Sequence, residues 1–191
     1  MITRIVAFCS LGALNVTQEL AGAILRDIEG ADPEVVAEET LCLVAVVTLR
    51  AAQAGLRESP ELAAAAEPVL AALPYTYRRY LTGLAMIDRN DPSLAEPGSI
   101  EAVDRRLQRK QRFYEGQFPE ATFPGDEILT NGMEFWMGRI SPPKLPETPS
   151  VRLRKMGLAA LLGAHLRVTG AYCRSAAMSE QDEMDGAAES A

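Results

Sequence analysis

Apolar positions in this chain recur at intervals of three and four rather than two, and short polar punctuations divide them into helix-length segments. Asn15 and Gln18 have the spacing of a capping box and predict a helix to about Glu29, where Gly30 supplies a left-handed stop. A second helix restarts at Asp32, with Pro33 at its first position and Glu34 near the positive end of the dipole, and runs to Gly55. Ser59, Pro60 and Glu61 repeat that grammar. Pro68 is expected to kink or break the helix they open, and Pro74 to end the short segment after it. Residues 75–90 predict a helix of about four turns, 91–99 a loop, and Ser99 a cap for a helix that reaches Phe118. Residues 119–149, rich in proline and aromatics, read as an irregular excursion interrupted by a short helix near 126–138. Ser150 then caps a last helix to about Ser175, and the polar, acidic residues 180–191 predict a disordered tail.

Residues 41–49, LCLVAVVTL, are apolar on every side and rich in valine, which suits a buried parallel strand as well as a central helix. Only residues 4–11 could pair with them as a second strand, and no glycine-rich phosphate turn follows either segment. A helix surrounded on all sides is the better reading. The expected fold is therefore all-α: a single-domain bundle of about six or seven helices over residues 1–179, packed around 41–49.

Composition agrees with that. Hydrophobic residues make up 48% of the 191, much of it Ala and Leu, and aromatics only 6%. Ala and unbranched Leu lose little entropy in a helix. The N-terminus has a short apolar run after one arginine, but Ser10 and Gly12 interrupt it and no A-x-A site follows, so a buried first helix is expected in place of a signal peptide. No apolar run is expected to approach the ~20 residues that span a bilayer, and a cytoplasmic protein is expected. Cys9, Cys42 and Cys173 are scattered, which reads as buried reduced thiols rather than a disulfide framework or a zinc site. No P-loop, GxGxxG, GxSxG, HExxH or EF-hand pattern occurs, so no cofactor and no metal are expected.

Charge changes the picture more. The formal net charge is −7, yet Arg105, Arg106, Arg109, Lys110 and Arg112 crowd five cations into eight residues. On a helical wheel Ile100, Val103, Leu107, Tyr114 and Phe118 fall within about 60° of one another as a core face. Arg105, Arg106, Arg109 and Arg112 lie opposite, Lys110 lies toward the edge, and Glu101 can pair with Arg105 at i+4. Phe113 projects among the arginines, where an aromatic can stack on or insert into a partner. In the last helix Leu158, Leu161, Leu162, His165, Val168 and Tyr172 share one face, with Arg152, Arg167 and Arg174 on the other. Gly157, Gly163 and Gly170 there suggest close approach of another backbone or a break.

These features define three functional classes. The leading one is a non-enzymatic binding or regulatory protein, whose basic helix faces (Arg105, Arg106, Arg109, Lys110, Arg112 and Phe113, helped by Arg152, Arg167 and Arg174) grip an acidic partner. A protein surface comes first and RNA second; net acidity disfavours non-specific duplex DNA. The second is an enzyme or small-ligand protein with a pocket between the helical core and residues 119–149, lined by Asp126, Glu134, Phe135, Trp136 and His165. The third is a homo-oligomer joined through the glycines of the last helix. Adjacent Glu38 and Glu39 lack the ExxE or ExxH spacing of a helical metal site.

Overall fold

The computed structural model describes residues 1–89, 97–120, 123, 126–143 and 147–188; for 89, 97, 126 and 180–188 it describes the backbone alone. Among these residues the chain is helical and forms no strand. The described residues form eight helices in succession: α1 (Ile2–Asp27), α2 (Pro33–Gly55), α3 (Pro60–Ala71), α4 (Leu73–Arg89), α5 (Pro97–Gln117), α6 (Asp126–Ile140), α7 (Pro149–Met156) and α8 (Leu158–Ala188).

The ambiguous 41–49 segment lies in the middle of α2, and every one of its residues is buried. α2 packs against α1, α3, α4, α5, α6 and α8, so no side of its middle turns is left for water. Its N-cap forms as expected: the Asp32 carboxylate accepts from the backbone N–H groups of Glu34 and Val35, at 2.8 and 3.3 Å. Gly30 takes the left-handed conformation just after α1, with φ +77°.

Several local expectations are corrected. α1 begins at Ile2, so Asn15 and Gln18 lie inside a helix and cap nothing. The reason is tertiary: Ile5, Cys9, Ala13, Val16, Leu20 and Ile24 line one continuous buried face from the first turn onward. α1 is also the one helix among the described residues long and apolar enough to cross a membrane, with a mean hydropathy of 1.2. One face of it packs on α2 and α8. Pro68 sits inside α3 without ending it, and Pro74 falls in the first turn of α4, where the missing N–H matters least. α5 starts at Pro97, so Ser99 is in its first turn, and residues 90–96 of the expected loop lie outside the described residues.

Residues 119–149 are less of an excursion than their prolines suggest. α6 occupies half of them and turns Met133, Trp136, Met137 and Ile140 into the main core. The expected single last helix is two. Gly157 adopts φ +65°, a left-handed residue that ends α7 and frees α8 to take its own direction. α8 also continues as backbone through 180–188, where a disordered tail is expected from composition; the side chains of 180–188 and all of 189–191 lie outside the described residues.

The inward face of α8 differs from the expected stripe. Leu158, Leu162, Leu166, Thr169 and Cys173 are buried, while Leu161 and Val168 are exposed. Contact between Gly170 and the end of α2 sets this rotation. A Cβ at Gly55 would lie 2.5 Å from the carbonyl oxygen of Gly170. Close backbone approach, foreseen for α8, is thus real at Gly170 and is made within the molecule.

Candidate functional site on α5

α5 carries the basic cluster, and the structure divides it. Glu38 and Glu39 on α2 are each only 2% exposed, although they are carboxylates. They sit at the edge of a helix whose next turns are apolar all round, so neither can reach bulk water. Burial of that kind requires compensating cations and hydrogen bonds.

Three helices supply them, α4, α5 and α6. Arg106 grips Glu38 bidentately, Nε to Oε2 at 2.8 Å and Nη2 to Oε1 at 2.6 Å, and its Nη2 also donates to Glu34 at 2.9 Å. Arg139 of α6 does the same to Glu39, at 2.7 and 2.8 Å. Lys110 bridges the two carboxylates at 3.1 and 3.2 Å. Tyr114 donates its hydroxyl to Glu39 at 2.8 Å, and Arg78 of α4 donates to Glu34 at 2.9 Å. Burial by itself pushes the Glu38 carboxyl upward, but hydrogen bonds and charge from Arg106 and Lys110 outweigh it and hold its pKa below the usual carboxylate range. Glu39 shows the same balance, with Arg139, Tyr114 and Lys110 as its partners. In turn the bond to Glu38 raises the Arg106 pKa, despite an opposing effect of burial.

Arg106 and Lys110 are therefore ion-paired within the molecule, Lys110 buried and the Arg106 side chain 37% exposed, which corrects the expectation that both are free for a partner. On the wheel they flank the core face on the side toward α2, about 40° apart. Phe113 is also corrected: it is half-buried, edge-on to Tyr114 and Phe135, with the Arg139 guanidinium 4.7 Å above its ring. Arg105 pairs with Glu101 across one turn at 3.6 Å, and both remain well exposed. Arg109 and Arg112 are exposed and have no ion-pair partner among the described residues. Beside Arg112 a hollow of about 350 Å³ opens among Tyr75, Gln108, Gln111 and Glu115.

The accessory cations do not join that face as a set. Arg152 falls on α7 and is buried, with its Nη1 lacking a hydrogen-bond partner among the described residues, whereas Arg167 and Arg174 are exposed on α8.

The rival pocket is not assembled as expected. Trp136 is fully buried and its indole N–H donates to Thr40 at 3.2 Å. Phe135 faces outward beside Phe113, Glu134 is half-buried, and the side chain of Asp126 lies outside the described residues. His165 is elsewhere, between α1 and α2: its Nε2 lies 2.8 Å from the Thr48 hydroxyl, and Gly12 passes its ring edge. No hydrogen bond or ion pair joins His165 to Glu134 among the described residues.

Burial lowers the His165 pKa from 6.5 to about 4. The folded state thus keeps this imidazole neutral while the unfolded chain binds a proton below pH 6.5, so its contribution is complete at neutral pH and is lost as pH falls toward 4. About 2 kcal/mol of stability should disappear between pH 7 and pH 5 on this account. His165→Gln, which keeps a hydrogen-bonding group for Thr48, should flatten that slope in urea melts at the two pH values. An unchanged slope would assign it to other groups.

The fold and site together define an all-α helical bundle with a buried carboxylate pair on α2, neutralised from neighbouring helices, and a residual cationic face on α5. Comparison with protein-family models, with curated proteins and with solved structures found no match to this chain.

The buried Glu38–Glu39 pair is the feature that spacing rules for metal ligands pass over. The signal available was an acidic doublet placed directly before a run apolar on every side, since such a doublet cannot face water.

Proposed function

We propose that the protein is a non-enzymatic binding protein that contacts an acidic partner protein through the outer face of α5, with Arg109 and Arg112 at its centre and Arg105 beside them. One observation carries this reading: Arg109 and Arg112 stand exposed and without an ion-pair partner among the described residues, while Arg106 and Lys110 on the same helix are tied to Glu38 and Glu39. Two guanidinium groups three residues apart lie on one helix face and present paired donors that fit carboxylates. The hollow beside Arg112 adds a concave edge for a partner side chain. Attraction would act first as steering and then as charge-assisted hydrogen bonds, so affinity should fall as salt rises.

The test uses a fluorescein-labelled glutamate-rich peptide, with a uridine oligonucleotide of equal charge as the second probe. At low salt the peptide should bind the wild type, and Arg109→Glu with Arg112→Glu should weaken it at least tenfold, a change of about 1.4 kcal/mol. The thermal midpoint of the variant should stay near that of the wild type, because both side chains are exposed. Equal affinity for wild type and variant would sink the reading. Preference for the oligonucleotide would transfer the face to RNA.

A further inference from the structure

Away from α5, the second apolar cluster of the molecule holds a pair of thiols that the proposed binding face does not use. Cys9 lies on α1 and Cys173 on α8, 164 positions apart in sequence, and their Sγ atoms are 3.7 Å apart. Both residues are completely buried, among Ile5, Leu49, Ala52, Leu56 and Leu70. The contact is built by the backbone around it. Gly55 lets α8 press onto α2, and a Cβ there would come within 2.8 Å of the Cys173 Cβ. That pressure turns Cys173 inward, and the first-turn start of α1 brings Cys9 to meet it.

The two thiols are chemically unequal. The hydrogen bond to Cys9 holds the Cys173 pKa below the ordinary thiol value, against an opposing effect of burial. The same bond, followed by burial, pushes the Cys9 thiol far up. Either sulfur can donate in this contact; Cys173 is the more acidic of the two, and the thiolate is the reactive form. Cys42, the third cysteine, has no such neighbour: its Sγ faces the Leu107 carbonyl at 3.8 Å, and burial pushes its pKa up to about 12.

We propose that Cys9 and Cys173 form an oxidisable dithiol, a modification site that peroxide closes to a disulfide stapling α1 to α8. The Cys173 thiolate attacks one peroxide oxygen, breaking the O–O bond, giving a sulfenic acid and releasing hydroxide. Cys9 then attacks that sulfur; the S–S bond forms, the S–O bond breaks, and the second oxygen leaves as water with the Cys9 proton. In sum two thiols and one peroxide become one disulfide and two waters. Because both sulfurs are buried, reaction proceeds through brief opening of the first turns of α1, where Thr3 and Arg4 are exposed. The sulfurs must close by roughly 1.7 Å to reach bonding distance, which is within side-chain adjustment. A link across so long a stretch of chain restricts the unfolded state strongly and stabilises the folded one.

The experiment treats the full chain with a few equivalents of hydrogen peroxide, removes it, unfolds the protein and labels free thiols with N-ethylmaleimide for intact mass and peptide mapping. Reduced protein should take three labels and oxidised protein one, on Cys42, with the Cys9 and Cys173 peptides linked. The thermal midpoint of the oxidised form should rise by about 5–10 °C over the form kept reduced. Cys42→Ala should keep both effects, and either Cys9→Ser or Cys173→Ser should abolish them; because those serines disturb a buried site, the comparison of oxidised with reduced wild type is decisive by itself. Three labels after oxidation, sulfinic or sulfonic acid on the separate cysteines, or linkage through Cys42 or between molecules would each overturn the proposal. A Cys9–Cys173 disulfide without a rise in midpoint would remove the staple.

Discussion

Replacing Glu39 with alanine should lower the free energy of unfolding by about 3–5 kcal/mol at pH 7, the range seen when one member of a buried ion pair is deleted. Glu39 is the hub of three interactions. Its loss leaves the Tyr114 hydroxyl, itself fully buried, without an acceptor. It also takes both bonds from Arg139 and one contact from Lys110. Two features moderate the effect: Lys110 keeps Glu38, and the Arg139 side chain, 40% exposed, can turn toward water. Glu39→Gln preserves an acceptor for Tyr114 and should lose less, on the order of 1.5–3 kcal/mol, the worth of hydrogen bonds to a charged group. Glu34→Ala is the internal comparison. Glu34 also meets Arg78 and Arg106, but its side chain is 56% exposed, and a pair of that kind is worth only about 0–1 kcal/mol. Urea titration of the three variants should therefore rank them E39A, E39Q, E34A. Equal, small changes would mean that water reaches the carboxylate pair.

The same pair has a pH signature. Glu38 and Glu39 have folded pKa values below the ordinary carboxylate value of 4.5. Their stabilisation is complete above that value and is lost as pH falls through it, because the unfolded chain takes up protons first. This acid loss begins where the His165 effect is nearly exhausted, at about 4. Glu39→Gln should weaken the lower part of the profile and leave the part between pH 7 and pH 5 intact.

Gly55→Ala should destabilise the protein by about 2 kcal/mol, although alanine is the better helix former by up to ~1 kcal/mol. The new methyl would stand 2.5 Å from a backbone oxygen of α8 and 2.8 Å from the Cys173 Cβ, neither of which can rotate away. α2 and α8 would have to part, and overpacking of this kind costs about 1–3 kcal/mol beyond the propensity gained. Gly83→Ala supplies the opposite sign. A Cβ at Gly83, inside α4, meets nothing within 4 Å, so propensity acts alone and stability should rise by up to ~1 kcal/mol. If both substitutions stabilise, the α2–α8 contact is looser than these distances imply, and the seat of Cys173 with it.

Much of the architecture is legible without coordinates. Asp32 and Pro33 announce α2, because a side-chain acceptor followed by a residue without an N–H is a local solution to a local need. A helix is readable near 126–138 from sequence, and α6 lies over Asp126–Ile140. Boundaries that depend on distant partners are not legible. Asn15 and Gln18 form a plausible cap in isolation, yet α1 starts earlier because Ile5 and Cys9 have a core to enter. The opposite-facing arginines of α5 look equivalent because a wheel shows direction and not neighbours. Only the acids of α2 separate Arg106 and Lys110 from Arg109 and Arg112.

By itself the sequence determined that this chain is all-α and where most helices begin, since capping chemistry and apolar periodicity act over a few residues; that residues 41–49 form a helix and not a strand was settled by the packing around α2. The tertiary structure alone decided which charges remain outside, how α8 is rotated and which thiols meet. Those outcomes depend on contacts between residues dozens to more than a hundred positions apart, and burial changes the value of a charge only once the partner that covers it is in place.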